Sequence, residues 1–115
     1  MVDLPVISDD DMRSMLPSVK TYSIVLLEAG PRYGTEGADK IVWEHGRRNF
    51  ALRAAGLLSI VCPVSDDSPL CGVGIFNLTA EETREVMDGD PGVEAGVFTY
   101  RVHPCRSFPH DTLPA

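Results

Sequence analysis

The stretch Thr79-Ala80-Glu81-Glu82-Thr83-Arg84-Glu85-Val86-Met87-Asp88-Gly89-Asp90-Pro91 decides the fold. Thr79 and Glu82 stand at capping-box spacing, where each side chain satisfies the other residue's orphan backbone N–H, so a helix opens there. It runs to about Asp88 and is closed by Gly89-Asp90-Pro91, since glycine and proline both interrupt a helix. A strand, Ala95–His103, follows. The helix is preceded by Leu57–Val64 and Cys71–Leu78, two apolar runs separated by the turn-rich Ser65-Asp66-Asp67-Ser68-Pro69, which reads as a hairpin.

Further upstream, Thr21–Glu28 carries Tyr22, Ile24, Val25, Leu26 and Leu27 and reads as a buried central strand, stopped by Gly30-Pro31. Arg32–Gly37 is a loop. From Ala38 to Ala55 the period changes to helical: Ile41, His45, Arg48, Leu52 and Ala55 share one stripe, Trp43 and Phe50 lie on the other side, and Gly56 ends the helix. Residues 1–20 form an extension, with a short helix over Asp10–Met15 capped by Ser8 or Asp9 and ended by Leu16-Pro17. Residues 21–115 form the domain, ending in the proline-rich tail Pro104–Ala115. The order β-α-β-β-α-β interleaves most simply as an α+β, ferredoxin-like, antiparallel four-stranded sheet with its helices on one face. The bare face needs a cover, and a second copy of the chain is the expected one.

Composition narrows the function classes. The balance of 43% hydrophobic and 23% charged residues is that of an ordinary globular domain. Asp and Glu number 17 against 10 Lys and Arg, a net charge of −7, which disfavours nucleic acid and anionic lipid as partners. No apolar run approaches a membrane span, and the acidic N-terminus lacks the apolar region of a secretory signal. The three cysteines, Cys62, Cys71 and Cys105, make no C-x-x-C pair and read as reduced thiols of a cytoplasmic protein, although Cys62 and Cys71 flank the hairpin loop and are able to face each other across it. His45, His103 and His110 sit on separate segments without ligand spacing, so no metal site is expected. Gly72-x-Gly74 lies inside a strand and is no dinucleotide fingerprint.

The interleaved topology brings four segments to one end of the sheet: Arg32–Tyr33, the first turns of the long helix with His45, the turn Cys62–Ser68, and Gly89-Asp90-Pro91. His45 and Asp90 thus share an end of the fold. Imidazole exchanges a proton near neutral pH, and a carboxylate on its second nitrogen fixes the tautomer. The plainer reading is a helix histidine satisfied by a cap or water and an aspartate bonding its own turn. A thiol–imidazole pair of Cys62 with His45 is a further option.

From about Thr21 to Pro114 the chain resembles the YCII-related (YciI-like) domain family. The resemblance rests on Gly30-Pro31-Arg32-Tyr33, His45, Gly56-Leu57-Leu58, Gly72-Val73-Gly74-Ile75-Phe76, the stretch Asp88–Phe98, Val102-His103-Pro104 and Phe108-Pro109. It implies a dimeric α+β barrel whose two sheets face each other, and a pocket whose paired histidine and aspartate map onto His45 and Asp90. One characterised relative is a dehydrochlorinase acting on a chlorinated hydroxyquinol, and the wider kin include muconolactone isomerases and cofactor-free monooxygenases. The chain departs from the pattern at Cys62-Pro63, where the family has Gly-Pro.

The expectation is therefore a homodimeric, cofactor-independent lyase or isomerase acting on a small ring compound, with His45 as base and Asp90 as its orienter. Arg32 is expected to hold an anionic oxygen, and Tyr33 or Trp43 to wall a pocket that Cys62 and Pro63 border. The alternative is a non-catalytic dimeric module that binds a small molecule.

Overall fold

A computed structural model describes residues 2–115; Met1, the first residue of the extension, lies outside the described residues. The elements are α1 (Asp9–Met15), a 3-10 turn (Leu16–Ser18), β1 (Lys20–Ala29), α2 (Ala38–Ala54), β2 (Leu58–Pro63), β3 (Leu70–Phe76), α3 (Ala80–Asp88), α4 (Pro91–Glu94) and β4 (Phe98–Ser107). The strands make one antiparallel sheet in the order β2-β3-β1-β4, so the fold is α+β with a four-stranded antiparallel sheet.

Alternation along β1 separates the two faces of the sheet. Ser23, Val25 and Leu27 are buried, opposite Phe76, Gly74 and Gly72 of β3. Leu58, Phe98, Ala38, Met87 and Val97 complete that core with β1 and β3. The buried Ser23 hydroxyl donates to the Leu78 carbonyl at 2.9 Å, so the core carries no cost there. On the other face Tyr22, Ile24 and Leu26, with Ile75 and Val73 across from them, are only half buried.

The capping box at Thr79 forms as read: Thr79 Oγ1 accepts from the Glu82 N–H at 3.1 Å and the Glu82 carboxylate accepts from the Thr79 N–H at 3.0 Å. A second box, Ser8 with Asp11, opens α1. Residues 2–18 are nonetheless exposed throughout, so the arm stands off the domain.

The segment after α3 differs from expectation. Instead of passing straight into a strand at Ala95, the chain makes the extra turn α4, with Asp90 as its N-cap and Pro91 at the first helical position. The strand therefore begins at Phe98, and it continues through Pro104 to Ser107, where a tail was expected. β4 is an edge strand, where a missing N–H is tolerated.

Candidate active site

α2 lies across the helix-side face of the sheet, and between them opens a pocket of about 460 Å³. Gly72 and Gly74 form part of its floor. A Cβ on Gly72 would meet only the Cys62 carbonyl oxygen at 3.4 Å and Leu27 at 4.0 Å, so the absent side chain leaves space that becomes pocket.

His45 forms one wall. Its Nδ1 lies 2.8 Å from Asp90 Oδ1, and the side chain is 11% exposed. Asp90 itself is 1% exposed and sits behind the histidine. Its other oxygen, Oδ2, accepts from the backbone N–H groups of Gly92 (2.9 Å) and Val93 (3.2 Å) at the start of α4. A carboxylate can only accept, so Nδ1 carries the ring proton and Nε2 presents a lone pair. That lone pair faces Asn49, one turn further along α2, whose amide nitrogen is 3.3 Å away and donates to it. Phe98 packs on the imidazole with ring centroids 4.8 Å apart, and Tyr33 in turn packs on Phe98 at 6.0 Å. Gly92 makes this possible, because a Cβ there would lie 2.5 Å from the Phe98 ring and 3.0 Å from Asp90 Oδ2.

Arg48 approaches the pair from below. Its Nη1 is 4.0 Å from Asp90 Oδ1, close enough for charge attraction but too long for a hydrogen bond, and that buried nitrogen has no hydrogen-bond partner among the described residues. Gly89 leaves room for the guanidinium, since a Cβ there would sit 3.1 Å from Nη2. Arg48 and His45 thus both approach the same oxygen, Asp90 Oδ1.

Of the residues expected at the site, His45, Tyr33, Cys62 and Pro63 border the pocket, and Asp90 backs His45. Arg32 does not border it; the residue is exposed, and its backbone N–H bonds the Gly96 carbonyl at 2.9 Å. Trp43 is 69% exposed on the outer side of α2, away from the pocket. Cys62 is opposite Val73, which is opposite Leu26, so its side chain belongs to the sheet face away from α2 and His45. Nor do Cys62 and Cys71 face each other: Val64 takes the place opposite Cys71, its N–H bonding the Cys71 carbonyl at 2.9 Å, and all three thiols are free.

Asn49, Arg48 and Cys71 join the site without having been singled out for it. Asn49 and Arg48 were legible as the four- and three-residue neighbours of His45 on one helix face. Cys71 lines the pocket near Tyr33; burial pushes its thiol up, a hydrogen bond with Tyr33 pulls it down, and the Glu28 charge raises it again. Among the described residues no group of three or more His, Cys, Asp or Glu side chains is placed to hold a metal ion, and no helix is long and apolar enough to cross a membrane. Against known proteins, no family model matches the chain and no curated protein matches it.

Proposed function

We propose that the chain is a small enzyme of lyase or isomerase type that works by proton transfer alone, with His45 as base and Asp90 as its orienter, on a small ring compound held in the pocket under α2. The observation that carries this reading is the 2.8 Å His45–Asp90 contact set in the wall of a pocket of about 460 Å³. A carboxylate locked on one imidazole nitrogen leaves the other as the proton acceptor, which is the arrangement that general-base chemistry uses. The largely apolar lining, with Phe98 and Tyr33 along one side, suits a ring.

The strand order and the element order also suit a ferredoxin-like domain of the YCII-related kind, paired with a second copy across the half-buried sheet face of Tyr22, Ile24 and Leu26. The chain exposes 8306 Å². A compact monomer of its 12.5 kDa would expose roughly 6,200 Å², and the exposed arm of residues 2–18 contributes to that excess along with the sheet face. Sedimentation velocity in the micromolar range is expected to show a dimer, and a monomer throughout that range refutes the pairing.

A second reading has one observation in its favour. Asp90 caps α4 with two backbone bonds, a structural duty that by itself accounts for a buried aspartate. The chain would then be a binding module whose pocket holds a metabolite unchanged. Screening ring metabolites for turnover by the wild-type chain and by His45→Ala separates the two. Turnover lost in a folded His45→Ala supports the enzyme; binding without any His45-dependent turnover supports the module.

A further inference from the structure

Asn49 touches the base and lines the pocket, yet the base needs no amide in order to take a proton. We infer that Asn49 is the oxyanion donor of the site: as His45 Nε2 takes a proton from an uncharged ligand, the Asn49 side-chain amide turns its N–H to the ligand oxygen on which the electron pair settles. This rests on the reading of His45 as base.

The geometry supplies the first argument. Asn49 Nδ2 lies 3.3 Å from Nε2, and both groups border the pocket. A ligand hydrogen delivered to Nε2 displaces the amide from that lone pair and leaves its N–H without an acceptor, within reach of whatever atom is bonded to, or conjugated with, the one losing its proton. Enolisable ketones and phenols offer an oxygen there. The balance is simple: one C–H or O–H bond breaks, its proton forms an N–H bond at Nε2, and its electron pair becomes an enolate or phenolate oxygen that accepts from Asn49. Nothing is oxidised or reduced, and the proton returns by the reverse step.

Charge supplies the second argument. In the proton-accepting form of His45 the ring is uncharged and Arg48 and Asp90 cancel, so that form of the group carries no net charge and suits a neutral ligand. After transfer the imidazolium makes the group singly positive, facing a singly negative ligand. Among the described residues no Lys or Arg lines the pocket, while Asp39 does, so a ligand that arrives as an anion finds no lysine or arginine there to meet it. A neutral amide is the donor such a pocket uses, because it steadies the negative charge as it forms without first attracting anions.

The test uses the full chain and 4-nitrophenol, whose neutral and ionised forms absorb differently, at a mildly acidic pH that keeps the free phenol neutral. Wild-type binding is expected to raise the phenolate band. Asn49→Leu is expected to lower the ratio of bound phenolate to bound phenol by roughly tenfold to hundredfold, the worth of a hydrogen bond to a charged group. Asn49→Asp, the same shape with the donor replaced by an acceptor, should suppress it at least as far and stands in if the leucine variant does not fold. A merely structural asparagine would leave that ratio alone in any folded variant. An Asn49→Leu chain that ionises the probe as well as wild type overturns the inference, as does tight, His45-dependent binding of 4-nitrobenzoate. His45→Gln distinguishes the underlying reading: if it still ionises the probe, His45 is not the base, and both fall. If 4-nitroanisole binds the wild-type pocket but 4-nitrophenol binds without ionising, the pocket stands and the oxyanion role is gone.

Discussion

Besides the counter-charge to Arg48, replacing Asp90 by alanine removes two hydrogen-bonding duties whose sizes can be set from the structure. The first is the cap of α4, where Oδ2 accepts from Gly92 and Val93; losing an Asp cap costs about 1 kcal/mol. The second is the acceptor for His45 Nδ1–H, which is left unmatched in a buried site at a cost of about 1–3 kcal/mol. Together, Asp90→Ala should lose about 2–4 kcal/mol. At about 2.1 cal/mol/K per residue, the unfolding entropy at the midpoint is about 240 cal/mol/K for this chain, so each kcal/mol is worth about 4 °C and the melting temperature should fall by about 8–16 °C. Asp90→Asn behaves differently. Its carbonyl oxygen still caps α4, and asparagine caps about as well as aspartate, so the loss should stay near 1 kcal/mol. Its NH₂ then faces Nδ1, which must become the acceptor and move the ring proton to Nε2. The variant should therefore be folded yet unable to accept a proton from the pocket. Urea and thermal melts followed by circular dichroism give the stabilities, and the nitrophenol band reports the base. An Asp90→Ala chain within 1 kcal/mol of wild type would refute the double duty assigned to this carboxylate. Asp90→Asn as unstable as Asp90→Ala would show that its charge toward Arg48, not its bonds, holds the segment.

Three further outcomes follow from the same geometry. Cys62 is exposed in the single chain, on the sheet face assigned to the partner copy, whereas burial raises the Cys71 thiol, so at neutral pH and at a dilution that keeps the chain monomeric a thiol reagent should modify Cys62 first and Cys62→Ser should remove the fast phase; a fast phase that survives refutes this. Tyr100 is pushed up to about 12, first by burial and then by donating to Asp88 at 2.5 Å, so the folded chain holds this proton above the pH at which the unfolded chain releases it. Its contribution is complete below about pH 10 and is lost as pH rises to about 12, so Tyr100→Phe should flatten the alkaline fall in stability; an unchanged slope in the melts counts against it. Gly72→Val should fold, since a Cβ there meets nothing closer than 3.4 Å, but its methyls enter the pocket and should abolish binding of ring compounds; undiminished binding would mean the ligand lies elsewhere.

What the sequence disclosed, and what it hid, follows from which periodicities survive folding. Helix arithmetic was readable throughout. At 100° per residue, Asn49 stands about 40° from His45 and faces the pocket with it, whereas Trp43, two residues before His45, is about 200° around and faces away. Trp43 was expected to wall the pocket although the same count sets it on the other side of the helix, and Arg32 was expected there because its loop reaches the end of the sheet that carries His45. Strand arithmetic failed at one point for a local reason. The register shifts between Leu58 and Ile60, and that irregularity inverts the parity of everything after it. Counting by twos from the buried Leu58 puts Cys62 on the pocket face; the shift puts Val61 and Pro63 there instead. No residue type announces the shift. The extra turn at Pro91 was announced, because an aspartate followed by a proline is a helix start as well as a turn, and only the neighbouring Gly89 favoured the turn.

The economy of the site lies in Asp90. A side chain in the pocket wall would ordinarily need supporting residues to fix its rotamer, and each would have to be held by packing of its own. Here the rotamer is set by two backbone N–H groups of the helix that the aspartate itself initiates, so the carboxylate cannot turn away from His45 without uncapping α4. Arg48 adds a charge 4.0 Å behind it, from the same helix that carries His45 and Asn49. The proposed base, the proposed amide donor and the counter-charge thus come from a single segment of α2, at positions 45, 49 and 48. The only alignment left to tertiary folding is that of α2 against the start of α4. That alignment is held by the His45–Asp90 bond and by Phe98 packed on the imidazole, so a correctly folded chain is also a preorganised site.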